Sequence, residues 1–187
     1  GLGVGMLFTH GGAGKLDGCI VTDNARDGIA ICGLACPSIW NTRIVDGQGV
    51  GLHIFDSGKG ELINCDISAN KGGGVLFERG ADTAIRSCNI FDCASGGVLF
   101  SQGSIGSLTM CNFYNNSSYS VKVQRDGNPL ISACKFHDLT SPAIESVLSA
   151  RGKVERCNFK SVQICALVSD ESVTTFETCT FEEGCST

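Results

Sequence analysis

Long apolar runs are missing from this chain, and no stretch reaches the roughly 18 residues that a membrane-spanning helix needs. Charge is scarce as well. Charged residues make up 18% of the sequence, the formal net charge is −5, and Arg43, Lys71, Arg86, Lys122 and Arg156 lie scattered rather than in a dense basic run. That argues against nucleic acid as a partner, because phosphate recognition needs basic residues gathered on one face. No segment carries apolar residues at helical spacing, so an amphipathic helix is excluded too. What the chain has in quantity is small residues: 25 glycines and 12 cysteines in 187 residues.

The cysteines fall on a ruler. Cys19, Cys65, Cys88, Cys111, Cys134 and Cys157 share one register of 23 residues, with Thr42 at the one skipped mark and Cys179 following after 22. Two residues later the position is always apolar: Val21, Ile44, Ile67, Ile90, Phe113, Phe136, Phe159, Phe181. Three residues earlier it is apolar again, from Leu16 through Ile39, Leu62, Ile85, Leu108, Ile131 and Val154 to Phe176. A fixed period of this length means one structural unit stacked on itself.

Nine residues after the cysteine register come Gly28, Gly51, Gly74, Gly97, Ser120, Ala143 and Ala166, followed by an apolar residue and a second one two places on. Apolar positions at spacing two mark a strand with one buried face. The pattern predicts two such strands per repeat, separated by turn-forming Gly, Asn, Asp and Ser. The column from Gly14 and Pro37 to Gly152 and Thr174, five residues before the register, reads as a turn. The expected fold is all-β, a right-handed parallel β-helix solenoid of about eight coils, with residues 1–187 forming a single domain. Such a rod is about 35–40 Å long at the strand spacing of a sheet. Gly5, Met6 and Phe8 match mid-coil positions one period later, and this predicts a fragment of a longer protein.

The coils "CIVTDNARDGIAI" (19–31), "CDISANKGGGVLF" (65–77) and "CNIFDCASGGVLF" (88–100) resemble the pectin-lyase-like β-helix superfamily. Asn24, Asn70 and Asn116 recur where that superfamily stacks asparagines in a turn, with Gly47, Cys93, Leu139 and Val162 interrupting the series. The resemblance implies one of two functions. Short β-helices of this kind serve as recognition arms of F-box-type substrate receptors and intracellular adaptors, and others are carbohydrate-active enzymes. Polygalacturonase-like members carry paired aspartates and a GHG-type motif. Here His10, His53 and His137 have no such context and no two aspartates are adjacent.

Stacked parallel strands hold equivalent Cβ atoms farther apart than a disulfide prefers, so the register cysteines are expected to be free and buried as small hydrophobes. A column of free thiols suits a reducing compartment, which predicts a cytoplasmic or nuclear location. Cys32 and Cys36 form a CxxxC without further ligands nearby, and no metal or cofactor is expected. Cys165 and Cys185 are expected in loops of adjacent coils, near enough to oxidise together. Asn116-Ser117-Ser118 is a glycosylation sequon that a reducing compartment leaves unused.

An acidic column follows the register by four residues: Asp23, Asp46, Asp92, Asp138 and Glu183. Asp23 and Asp46 are close enough in register to serve as a carboxylate pair, although aspartate is also a common turn residue. Two outward columns are more apolar than a solvated face. The first runs Ala30, His53, Leu76, Leu99, Lys122, Glu145, Val168, with Phe55 beside His53; the second runs Val45, Ser68, Phe91, Tyr114, His137. Contiguous apolar patches mark contact sites. His53, Phe55, Leu76 and Leu99 form the first candidate protein-binding strip, and Val45, Phe91, Tyr114 and His137 the second. Either a protein partner or flanking segments of the same chain would cover them. The sequence therefore reads as a non-catalytic scaffold or recognition module of an intracellular protein, the alternative being a carbohydrate-active or sugar-binding β-helix.

Overall fold

The computed structural model of the protein describes residues 3–182, and over that range the chain is a parallel β-solenoid. Each coil contributes three short strands, not two, and like strands stack into three parallel sheets of eight strands each. The first sheet runs from Lys15–Asp17 to Val173–Glu177, the second from Ile20–Thr22 to Thr180–Phe181, and the third from Met6–Phe8 to Ala166–Val168. The extra strand is the one built on the Leu16 column. It has a single inward residue between two outward ones, so three residues never display a period of two. In four coils it lengthens to five residues and takes in Gly60, Thr83, Gly152 and Thr174, which therefore lie in strand and not in turn.

The register is the sequence period. Leu76 pairs with His53 on one side and Leu99 on the other, 23 residues away in each direction. The step shortens once, where Glu145 pairs with Leu167 and not with Val168. Leu139 still pairs with Val162, so one residue is missing between Val162 and Cys165. Cys165 thus takes the place of Ala143 in the bend that leads into its strand, where Ile144 N donates to its carbonyl at 3.2 Å.

Three columns fill the interior. Phe113, Phe136, Phe159 and Phe181 stack with ring centroids 4.9, 4.9 and 5.0 Å apart and planes within 8°. Ile39, Leu62, Ile85, Leu108, Ile131 and Val154 line the first sheet's inner face. Phe77 and Phe100 stack at 4.3 Å behind the third sheet. Strand spacing sets the ring spacing, which places offset-stacked aromatics within their preferred range.

The corners explain the cysteine ruler. Just before each register position the chain turns through a left-handed residue: Asn41, Asn64, Ser87, Met110, Ala133 and Arg156 all have φ between 48° and 55°. The next residue then points its side chain inward, close to the carbonyl two residues back. Cys65, Cys88, Cys111, Cys134 and Cys157 donate their S–H to that carbonyl at 3.2–3.5 Å. Thr42 does the same with its hydroxyl, at 2.8 Å from the Trp40 carbonyl. The skipped mark is the same device in oxygen. Burial is complete only in the middle of the rod: Cys65, Cys88, Cys111, Cys134 and Cys157 are buried, whereas Cys19 is exposed and Cys179 half-buried in the terminal coils. Off the register, Cys93 is buried as well.

Candidate functional site

The two outward strips have different characters. On the third sheet, His53 is not an apolar surface residue. Its Nδ1 lies 3.0 Å from Asp27 Oδ2 and its Nε2 3.2 Å from Glu78 Oε2, so the imidazole bridges carboxylates of the coils before and after its own. Phe55 packs against the imidazole with centroids 4.5 Å apart, and the Arg79 guanidinium lies over Phe55 while pairing with Asp56 and Glu78. Beyond this network only Leu76 and Leu99 remain as an apolar pair, bordered by the 2.8 Å ion pair of Lys122 and Glu145. Ala30, at the other end of the column, is buried.

Burial pushes the His53 pKa down, but the hydrogen bonds and charges of Asp27 and Glu78 outweigh it and leave it raised above the ordinary 6.5. Burial pushes Asp27 up, and the hydrogen bond and charge of His53, the Val50 N–H and the charge of Arg26 together outweigh it and leave it below 3.8. The raised imidazole contributes stability that is complete below its unfolded pKa and is lost as pH rises through the folded one. The lowered carboxyl contributes stability present above its unfolded pKa and lost as pH falls. The triad therefore stabilises most between pH 3.8 and 6.5. His53→Gln is expected to lower the melting temperature clearly at about pH 5.5 and much less at about pH 8.5. Paired thermal melts at the two pH values check it, and equal losses at both would refute the charged bridge.

The second sheet carries the richer surface. Phe91 and Tyr114 stack at 4.7 Å with planes 11° apart, and Tyr114 and His137 at 5.2 Å and 15°. All three are half-exposed. Val45 and Ser68, assigned to the same strip from their outward position, are buried at 5% and 7% exposure, so the strip shortens to three rings. Beside the rings runs a polar row one residue after the register: Asp66, Asn89, Asn112, Lys135 and Asn158. Asn89 Nδ2 donates to Asp66 Oδ1 at 2.8 Å, and Asn158 Nδ2 to Glu182 Oε1 at 2.8 Å. His137 is held between Asn112 Oδ1 at 3.0 Å and Asp138 Oδ2 at 2.7 Å. Burial, with the nearby charges of Asp66 and Asp92, raises the Tyr114 phenol pKa, so it remains a neutral donor and acceptor.

A shallow groove of about 430 Å³ opens beside His137, between Lys135, Asn158, Lys160 and Glu182. A second, of about 550 Å³, continues from Lys135 and His137 past Asn112 to Met110. Among the described residues no carboxylate lies within 4.0 Å of Lys135 Nζ, and Lys160 reaches Glu182 only at 3.9 Å. Sequence reading found the rings and missed this row. Its signal was present, as a column polar in every coil from Arg43 to Thr180.

The acidic column follows a backbone conformation. Asp23, Asp46 and Asp92 occupy the left-handed corner after the second sheet, and Asp138 the same left-handed position inside the longer strand Lys135–Leu139, with φ of 56°, 59°, 54° and 54°. Ala69, Asn115 and Ser161 fill the same corner elsewhere at 53–54°. Asp and Asn tolerate that conformation better than other L-residues, which accounts for the column. Glu183 lies outside the described residues. Among the described residues no group of three or more His, Cys, Asp or Glu could hold a metal ion. Cys32 donates its S–H to Thr9 Oγ1 at 3.3 Å, and Cys36 is exposed.

A family model for the right-handed β-helix region matches residues 2–123 and, overlapping, 96–187. No curated protein sequence matches the chain. Among solved structures, the crystal structure of the periplasmic alginate epimerase AlgG superposes with a TM-score of 0.74 at 12% identity, over 96% of this chain and 50% of that one. The likeness is one of fold, and the chain spans half the length of that protein. Its periplasmic setting corrects the expectation of a cytoplasmic or nuclear location. The physical reason lies in the thiols themselves. Contact with Cys111 and Cys157, together with burial, drives the Cys134 pKa up, and burial pushes Cys93 up to about 11. Hydrogen bonds from Cys88 and Cys134 instead lower the pKa values of Cys65, Cys111 and Cys157, so what the column shares is burial, and a structural thiol shut away from oxidants is inert and does not report its compartment. Cys165, moreover, is disulfide-bonded. The expected partner, Cys185, lies outside the described residues.

Proposed function

This chain belongs to the right-handed β-helix family, and we propose that it binds a carbohydrate polymer along the aromatic row of its second sheet. The observation that carries the reading is the stack of Phe91, Tyr114 and His137 beside a row of amides and a lysine. Half-exposed rings offer apolar contact to C–H faces, and Asn112, Asn158 and Lys135 offer donors and acceptors to hydroxyl or carboxylate groups. A polymer with a regular repeat suits a surface that itself repeats at strand spacing. The fold neighbour is an alginate epimerase, which supports a carbohydrate as the class of ligand. The proposal is of binding and assigns no reaction.

Titration calorimetry against alginate and against a neutral glucan tests it. Tyr114→Ala and Lys135→Ala are each expected to weaken binding at least about tenfold, a loss of about 1.4 kcal/mol. Retained affinity in both variants, or no binding to either polymer, would sink the reading. A second reading, docking of a protein on the third sheet, is favoured by Leu76 and Leu99 lying side by side and half-exposed. Leu76→Asp with Leu99→Asp should leave polymer binding unchanged, which separates the two faces.

A further inference from the structure

The sequon at Asn116 overlaps a second one, because Asn115-Asn116-Ser117 also has the form Asn-X-Ser. The fold treats the two asparagines in opposite ways. Asn116 is 2% exposed and both ends of its amide are occupied: Nδ2 donates to the Ile90 carbonyl at 2.8 Å, and Oδ1 accepts from Cys93 N at 3.2 Å. Its carbonyl also accepts from Ser141 Oγ at 3.0 Å. A sugar on that nitrogen would have to displace the core and break the link between coils. Asn115 stands next to it on the left-handed corner with φ 53° and is exposed. Its side chain has no partner among the described residues, and Ser117, the second element of its sequon, is exposed too.

We propose that Asn115, and not Asn116, is an N-glycan acceptor when the chain passes through a compartment bearing an oligosaccharyl transferase. Such compartments are oxidising, and the disulfide at Cys165 is a bond they favour. In the transfer, Asn115 Nδ2 forms a bond to the anomeric carbon of a lipid-pyrophosphate-linked oligosaccharide. The bond from that carbon to the pyrophosphate breaks, the pyrophosphate leaves with the electron pair, and one amide proton passes to a base of the transferase. The corner points away from the core, so a glycan there leaves all three sheets intact.

The serines make the assignment testable without touching either asparagine. Ser117 belongs to the Asn115 sequon and Ser118 to the Asn116 sequon, and both are exposed, so neither alanine variant threatens the fold. The chain is secreted from a eukaryotic cell behind a cleavable signal and treated with peptide N-glycosidase, with peptide mass spectrometry locating the converted residue. Wild type and Ser118→Ala should each carry one glycan on Asn115, and Ser117→Ala should carry none. A glycan on Asn116, its loss in Ser118→Ala, or secreted wild type bare at both positions would overturn the proposal.

Discussion

Phe136→Ala is expected to lower the unfolding free energy by about 3–5 kcal/mol, as truncation of a fully enclosed aromatic does. The ring has no exposed surface and lies between Phe113 and Phe159, each 4.9 Å away. Removing it costs its own transfer from water, and it also deprives two rings of a stacking partner, each pair contributing about 0.5–1.5 kcal/mol beyond burial. Backbone pairing holds the coils at fixed spacing, so neighbouring rings cannot close the gap. Phe181 supplies the internal comparison. It belongs to the same stack but is 51% exposed, and its truncation should cost far less. Urea denaturation of both variants measures the difference. Similar midpoints for Phe136→Ala and wild type would mean the stack contributes nothing that the core cannot replace.

The repeat was legible because a solenoid writes every coil on the same inner surface. The residues of the phenylalanine and Leu16 columns meet like neighbours in each turn, and selection for packing leaves one residue class per column. Strand count was less legible. A three-residue strand with one inward side chain, such as Lys15–Asp17, has no alternation to display. The missing residue between Val162 and Cys165 also escaped, because Cys165 and Ala166 are both small enough for the entrance position held by Ala143.

Surface residues were harder to place, since an outward direction is not exposure. Val45 points away from the core on a second-sheet strand and is nonetheless buried. His53 looked like one end of an apolar strip, yet its bridging carboxylates come from positions 26 residues before it and 25 after it. Those offsets do not match the period, so no column contains the triad. The compartment was misread for a different reason. Cysteine content does not report redox conditions here, because the corner geometry asks for a small inward donor, a demand Thr42 meets equally well.

Asn116→Ala is expected to cost about 2–6 kcal/mol, because it strands two buried backbone groups at about 1–3 kcal/mol each. The Ile90 carbonyl loses its donor and the Cys93 N–H its acceptor, and both lie where water cannot replace them. Asn70 has the same arrangement two coils earlier, with Nδ2 donating to the Ile44 carbonyl at 3.0 Å and Oδ1 accepting from Gly47 N at 3.0 Å. Between them Cys93 holds the position with its S–H directed at the Phe91 carbonyl, 3.4 Å away, which is a weaker bond. Two alternatives follow from that middle residue. If each asparagine only ties its own coil to the preceding one, Asn70→Ala and Asn116→Ala should add within about 0.5 kcal/mol, as separated sites do. If the column acts as one connected ladder, loss of either end loosens Cys93 and the double variant should lose measurably less than the sum. Urea denaturation of both single variants and the double variant decides between these, with Asn115→Gly as a control expected to stay within about 0.5 kcal/mol of wild type. Bonds of this kind are local and a solenoid coil contacts only its neighbours, so additivity is the expected result. A loss below about 1 kcal/mol for Asn116→Ala would mean that the corner relaxes enough to find other partners, and that the amide positions the turn without holding it.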